Sequence, residues 1–363
     1  MRLVVLFGGQ SAEHDVSCVS ARHVLAAANP DRYIIEPVGI TRDGRWVRAE
    51  AAAAALGRGS AALPDHLTAE GSLTSPMPAL LGDSHLPAPE DGAEPPITVV
   101  FPVLHGPMGE DGTVQGLLEL AGLPYVGTGV LGSAVCMDKA MAKDVFARHG
   151  IPQVPWRTLR AADLGPGTAA ALVAELGLPL FVKPANLGSS VGVSKATDLA
   201  AVTAALELAA GYDEWLVVEE GVQAREIECA VLGNEQPEAS LPGEIVPAAD
   251  FYDYADKYLD GSAELLIPAP LDPGVTEDLR SLAIRAYQAL RCEGLARVDF
   301  FYEEGGRGLL VNEINTMPGF TPISMYPKMW DATGVSYPEL IDRLVDLAIE
   351  RHQRRSAHRR TER

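Results

Sequence analysis

Two carboxylates near the C-terminal end carry the first chemical suggestion. In ARVDFFYEEGGRGLLVNEIN (residues 296–315) two apolar runs flank EEGGRG, a composition that turns a chain back on itself. A hairpin symmetric about Gly306 sets Asp299 opposite Glu313 and Arg297 opposite Asn315. Strand alternation then places all four side chains on one face. Like charges directly opposed destabilise a sheet unless something positive lies between them. Magnesium suits such a place: it takes oxygen ligands and is often held by one or two carboxylates together with substrate phosphates. Asn315 adds a neutral oxygen. A solvated face that merely carries charge is the plainer alternative, because the register is assumed.

A second segment, VKPANLGSSVGVS (182–194), ends a strand at Lys183 and continues through Gly188, Ser189, Ser190 and Gly192. Glycines let backbone N–H groups approach an anion, and serines add donors. The pattern is neither GxxxxGK[ST] nor GxGxxG. It suits a lid over phosphates, with an ordinary hairpin turn as the alternative. Lys139, in MDKAMAK (137–143), is a further cation on a helix.

The elements that must position these groups alternate between strand and helix, which indicates α/β layers. Strands are expected at 3–7, 34–40, 97–101, 181–183, 215–219 and 226–232. Helices are expected at 11–28, 113–121, 138–149, 165–177, 275–290 and 337–352. Residues 49–96 are rich in Ala, Gly, Pro and Ser and read as a surface insertion with little core of its own. Residues 247–262 read as a polar, aromatic loop. The 363 residues are too many for one ordinary core, so two or three domains of about 100–150 residues are expected. The net charge of −20 argues against nucleic acid as a partner. The one basic block, 351–363, reads as a solvated tail. No run of about 18 uncharged apolar residues is present, so no membrane span is expected. The apolar N-terminal run stops at Gly8-Gly9 and reads as a buried strand rather than a leader, so a cytoplasmic protein is expected. The four scattered cysteines read as buried free thiols.

Taken in order, eight segments resemble the D-alanine–D-alanine ligases of the ATP-grasp superfamily: FGGQSAEHDVS (7–17), HGPMGEDGTVQG (105–116), MDKAMAK, KPANLGSSVGVS (183–194), VVEEGVQAREIE (217–228), FYDYADKY (251–258), ARVDFF (296–301) and NEINTMPGFTPISMYP (312–327). The resemblance spans nearly the whole chain outside 49–96, and it rather than the residue types supplies the substrate. It implies an α/β ATP-grasp fold in three domains: an N-terminal doubly wound parallel-sheet domain (1–127), a central lid domain (128–219) and a C-terminal catalytic domain (220–363). It implies an ATP-dependent ligase that joins two D-alanine molecules through a D-alanyl phosphate, as in peptidoglycan precursor synthesis.

Residue by residue, the resemblance assigns Lys139 and Lys183 to the ATP phosphates. It assigns Glu219, the backbone around Glu220 and Val222, and Glu226 to adenine and ribose. Ser190, Phe251 and Asn312 stand with the nucleotide set. Asp299, Glu313 and Asn315 match ligands of two magnesium ions; manganese is a substitute, and potassium binding is left open. Glu13 matches the carboxylate on the first D-alanine's ammonium, with Ser189 and Tyr258 as its hydrogen-bonded partners. Lys257 matches a lysine on the transferring phosphate, and His105 lies near the first D-alanine. Arg297 and the Gly319 backbone match the oxyanion donors. Ser324 and the Met325 backbone match the pocket for the second D-alanine's carboxylate. Residues 247–262 and 184–193 are expected to close over the site, and a homodimer is expected. Other readings are a ligase using D-lactate or D-serine, another ATP-grasp carboxylate–amine ligase, and a non-catalytic nucleotide-binding module. Tyr258 favours the dipeptide, because lactate-using relatives lack a tyrosine there.

Overall fold

The computed structural model describes residues 1–81, 96–246 and 264–358. Three sheets organise them. The first contains β1 (Arg2–Gly8), β2 (Ile34–Ile40), β3 (Trp46–Arg48), β4 (Ser72–Thr74) and β5 (Thr98–Pro102), in the order β4-β3-β2-β1-β5. Strand β1 runs parallel to both β2 and β5, and every one of its residues is buried. A continuous apolar run is what a central parallel strand covered on both faces requires. Strands β3 and β4 join antiparallel, so the expected parallel centre carries a mixed edge. Helices α1 (His14–Ala27) and α4 (Thr113–Leu120) belong to this layer.

The expectation that 49–96 has little core is corrected for its described part. Helix α2 (Glu50–Leu56), a 3-10 turn, β4 and α3 (Pro76–Leu81) bury Ala52, Ala55, Leu63, Leu67, Ala69, Ala79 and Leu80. The alanines that resemble low complexity form a good helix, whose small side chains sit in the core beneath β2.

After α5 (Val130–Met137) and α6 (Lys139–Arg148) comes an all-antiparallel sheet of β6 (Trp156–Arg160), β7 (Leu180–Pro184), β8 (Ser194–Ala196) and β9 (Trp215–Glu220), ordered β6-β9-β7-β8. It is backed by α7 (Thr168–Leu176) and α8 (Leu199–Ala210) and has its own core of Leu172, Leu180, Val182, Leu206, Leu216 and Val218. The third sheet contains β10 (Arg225–Gly233), β11 (Glu238–Ala239), β12 (Gly243–Val246), β13 (Glu264–Leu266), β14 (Gly294–Glu303) and β15 (Gly308–Asn315). Its path is β13-β12-β10-β14-β15, with β11 on β10. Helix α9 (Pro273–Ala289) covers one face, together with Cys136, Ala142 and Phe146 from α5 and α6.

The first and third sheets share a core. Leu3, Phe7, Val24 and Phe101 pack with Leu295, Phe320, Trp330 and Leu344, where α10 (Met325–Ala332) and α11 (Tyr337–His358) close the chain. Phe101 and Phe320 meet edge-on with ring centroids 5.4 Å apart. The basic tail is also corrected. Helix α11 continues to His358, and Arg351 is buried, its guanidinium 4.2 Å from the Tyr125 ring centroid and donating to Tyr125 O and Gly127 O. Arg354 and Arg355 pair with Glu293 and Glu119. Helical spacing gathers these cations on adjoining positions of the last turns, where they also oppose the helix dipole. All four cysteines are free and buried; the Cys136 and Cys292 sulfurs lie 3.4 Å apart.

Candidate active site

The hairpin register is the assumed one at the chemistry and shifts beyond it. Arg297 pairs with Asn315 and Asp299 with Glu313. A bulge after Asp299 then sets Phe300 opposite Val311, so Asn312 is the extra residue. Val298, Phe300 and Ile314 face the core, while Arg297, Asp299, Glu313 and Asn315 are half-buried on the other face. Arg297 grips Asp299 with two parallel bonds of 2.7 Å and lies 3.2 Å from Glu228, which stands opposite Asp299 on β10. Burial opposes the charge on Arg297, but Asp299 and Glu228 outweigh it and hold the guanidinium well above its ordinary value. Asn315 donates to Asp299 at 2.9 Å, and Lys139 Nζ lies 3.7 Å from Glu313.

Asp299, Glu313 and Asn315 therefore form a set of hard oxygen donors on one face. That is the chemistry of a magnesium-type ion. Two of the three are opposed anions whose present counter-charges are side-chain cations, as a face built to take positive charge requires. Among the described residues no cluster of three His, Cys, Asp or Glu side chains competes with it.

The lysines come from the antiparallel sheet and the helix before it. Lys139 opens α6, which Asp138 caps by accepting from Met141 N. Its Nζ donates to Leu187 O at 2.6 Å, inside the glycine-serine loop. Lys183, near the end of β7, lies 2.7 Å from Glu219 and 3.4 Å from Asn312 Oδ1. Burial lowers Lys183, but Glu219 and Glu313 more than compensate and raise it above the usual lysine value. Glu219 also lies 3.0 Å from Lys143. Burial alone would raise the Glu219 carboxyl, yet Lys143 and Lys183 hold it down at about 2. The Glu220 side chain turns outward to Arg307, and its N–H bonds Pro155 O. Val222 and Glu226 are half-buried beyond β9.

Glu13 sits at the start of α1, after a turn that Gly8 makes possible: its φ is +90°, and a Cβ there would lie 2.2 Å from Ile40 O. Ser189 donates to Glu13, and Ser11 joins Glu13 N to His105 O. Gly106 must also lack a side chain, since a Cβ would lie 2.6 Å from the Glu13 carboxylate. Ser189 and Ser190 have φ of 50° and 58°, a left-handed pair that costs about 1–2 kcal/mol per residue. Gln10, Ser11, Glu13, Met108, Leu187 and Ser189 line a cavity of ≈ 230 Å³. A water's share of liquid is about 30 Å³, so the cavity has room for a small zwitterion.

His105 is buried with both ring nitrogens against protein partners: Nδ1 is 3.0 Å from Met317 O and Nε2 is 3.3 Å from Ser20 Oγ. Ser324 precedes α10 without capping it through its side chain; its hydroxyl lies 2.8 Å from Thr321 Oγ1, and a Cβ on Gly319 would come within 3.1 Å of it. The free N–H groups of that helix start, Met325 included, favour an anion. Phe251, Lys257 and Tyr258, and with them the expected closing loop, lie outside the described residues.

Sequence reasoning missed Lys143, Glu228 and Glu110. Lys143 is four residues after Lys139 and shares its helix face. Glu228 is two residues after Glu226 on a strand. Glu110 is half-buried; desolvation, with Glu13 nearby, pushes its carboxyl up to about 8.

An antiparallel lid sheet presenting lysines to a carboxylate-bearing hairpin defines a class, the ATP-grasp ligases. Residues 2–128 match the family model described as D-ala D-ala ligase N-terminus, and residues 145–346 match D-ala D-ala ligase C-terminus. Relatives named D-alanine--D-alanine ligase include one from Deinococcus radiodurans, 50% identical over 96% of this chain and 98% of its own length. Another, from Thermoanaerobacter sp., is 49% identical over 97% of each chain. Among solved structures, the D-alanine-D-alanine ligase from Coxiella burnetii superposes with a TM-score of 0.80 at 38% identity, covering 99% of this chain and 98% of that one. The VanG D-Ala:D-Ser ligase from Enterococcus faecalis does so at 0.77 and 34%, covering 96% and 99%. The chain belongs to the D-alanine–D-alanine ligase family and is an enzyme of the ligase class. The family is one of ATP-dependent ligases that work with a divalent cation.

Proposed function

We propose that this chain joins two D-alanine molecules to D-alanyl-D-alanine for peptidoglycan precursor synthesis, converting ATP to ADP and phosphate. The observation that carries the reading is the register that opposes Asp299 to Glu313 with Lys139 and Lys183 beside them. Lys139 and Lys183 hold phosphate oxygens, while Glu219, the Glu220–Val222 backbone and Glu226 take adenine and ribose, with Ser190, Phe251 and Asn312 around them. Asp299, Glu313 and Asn315 would hold two magnesium ions, replaceable by manganese, which would supply positive charge for phosphoryl transfer.

Glu13 accepts the first D-alanine's ammonium, and Ser189 and Tyr258 fix Glu13 and the lid. The first D-alanine's carboxylate oxygen bonds the γ-phosphorus as ADP leaves, with Lys257 on the moving phosphoryl group. The second D-alanine, held by Ser324 and the Met325 N–H, loses an ammonium proton. Its nitrogen then bonds the carbonyl carbon of the D-alanyl phosphate. Arg297 and the Gly319 N–H receive the oxyanion, and phosphate departs. We also propose a cytoplasmic homodimer and three domains dividing near 127 and 219. Within the 128–219 segment, α5 and α6 also pack on the third sheet.

Phosphate release with D-alanine, L-alanine, D-serine and D-lactate, with product mass, tests this. Release with D-alanine and a dipeptide mass are expected. No release with D-alanine overturns the reading, and a mixed product with D-serine or D-lactate as the faster second substrate reassigns it.

A further inference from the structure

One residue in the segment after β15 is held at both its N–H and its carbonyl by one loop of the first layer. Met317 N donates to Glu110 Oε2 at 3.3 Å, and Met317 O lies 3.0 Å from His105 Nδ1. The partners are 207 and 212 residues away in the chain. Glu110 is tied in turn to its own loop, its Oε1 accepting from Gly106 N at 2.7 Å. His105 Nε2 is 3.3 Å from Ser20 Oγ, which also receives the Phe320 N–H at 3.4 Å.

These contacts specify one tautomer. To meet a carbonyl, Nδ1 carries the proton. Ser20 accepts from Phe320, so its own hydroxyl proton goes to Nε2. A neutral ring with both nitrogens engaged has none left for a substrate. Burial acts in the same direction, disfavouring the charged ring. Met317 and Phe320 bracket Gly319, so the short loop carrying Gly319 is pinned on both sides by the first layer.

We propose that His105 and Glu110 are positioning residues that clamp the Met317 backbone and thereby aim the Gly319 N–H at the reacting carbonyl. The inference rests on the oxyanion role given to Gly319 above. It replaces a substrate contact for the His105 ring with a task on the protein itself. Glu110 is suited to this because a carboxyl group has two oxygens, one for each loop.

The geometry gives a specific test. An asparagine amide nitrogen falls near the imidazole Nδ1, whereas a glutamine amide nitrogen falls near Nε2. His105→Asn keeps a donor for Met317 O, and His105→Gln does not. Turnover is measured with D-alanine, together with KM for ATP and melting temperature. The expected kcat of His105→Gln is about 10- to 100-fold below the parent, as for a misplaced reacting group. That of His105→Asn lies roughly tenfold above the glutamine variant, and KM for ATP stays within about twofold in both. Glu110→Gln, with one acceptor oxygen lost, also lowers kcat and leaves KM for ATP unchanged. Equal or reversed order of the two histidine variants overturns the clamp, as does a rise in KM for D-alanine at unchanged kcat. If both histidine variants fail to fold, Glu110→Gln decides alone: parental kcat overturns the proposal. A parent inactive with D-alanine sinks the functional reading instead, so the two failures are distinguishable.

Discussion

The sheet of β6, β9, β7 and β8 and the pair of sheets flanking Phe320 are held by different means. The pair shares one apolar core, crossed by Phe101, Phe320, Tyr326 and Trp330. The lid sheet closes on its own core of Leu180, Leu206 and Leu216. Its links to the rest include Lys183 with Asn312, Ser189 with Glu13, and Glu220 with Arg307, beside one small apolar contact in which Trp156, Ala185 and Val217 meet Ala140 of α6. A shared core is bistable at best and resists small displacements. Polar links between separately packed units can be broken and remade at modest cost. Under the roles proposed above, the carbonyl chemistry falls on the pair that shares a core, and Lys183 falls on the separately packed sheet.

The largest effects test that division of labour by chemistry. Arg297→Met, on the rigid pair, removes the proposed oxyanion donor and is expected to lower kcat by about 10²–10³-fold while KM for ATP changes little. Lys183→Met, on the lid, raises KM for ATP. If both variants move the same parameter, the two regions do not have separate tasks.

The next effects test the cores. Phe320→Ala removes a large side chain from the shared core and lowers the main thermal transition, by about 3–5 kcal/mol of stability. Leu180→Ala removes about 2–5 kcal/mol from the lid alone. Calorimetry is expected to show a separate lower transition for Leu180→Ala, with the main one unchanged. A single transition lowered equally by both variants breaks the comparison.

Acid gives a third reading. The Glu219 carboxyl sits at about 2 in the folded chain against its ordinary 4.5. A depressed carboxylate stabilises the fold above the ordinary value, and that stability disappears as pH falls toward the folded one. Glu219→Gln leaves Lys143 buried without its counter-charge, lowering the lid transition by on the order of 10 °C at neutral pH. The gap between parent and variant narrows from about pH 4.5 downward. A gap independent of pH removes the ion triad as its cause.

How much of this was readable from sequence depends on the distance over which each feature is determined. The Asp299–Glu313 face follows from a turn and a period of two, both local. It survived even though the bulge at Asn312 broke the assumed symmetry a residue later. The strand 34–40 was read to the residue, because Ile34, Ile35, Val38 and Ile40 are β-branched residues bounded by turn residues on both sides. The core role of Ala52 and Ala55 was not legible, because alanine marks a helix without saying whether it is covered. Arg351 was read as tail, because its partners, the Tyr125 and Gly127 carbonyls, are 226 and 224 residues distant. The motif near residue 105 pointed to the site, but no periodicity relates Glu110 to Met317. Only the folded arrangement of the two layers assigns His105 its neighbours.

The smallest effect concerns the link between lid and hairpin. Arg307, in the turn between β14 and β15, lies 2.9 Å from Glu220 at the end of β9 and 2.6 Å from Glu303 on its own hairpin. Arg307 is exposed, and exposed pairs contribute below about 1 kcal/mol. Arg307→Ala is therefore expected to leave both thermal transitions within a few degrees. Its value lies in where the pair sits. It spans the separately packed units, so its loss weakens the closed arrangement without touching either core. KM for ATP is expected to rise by up to about fivefold with kcat nearly unchanged, and added salt should shrink the difference between variant and parent by screening the same pair. A kcat effect without a KM effect would mean that the turn acts on the carboxylate face instead, and that the lid is not the moving unit at this edge.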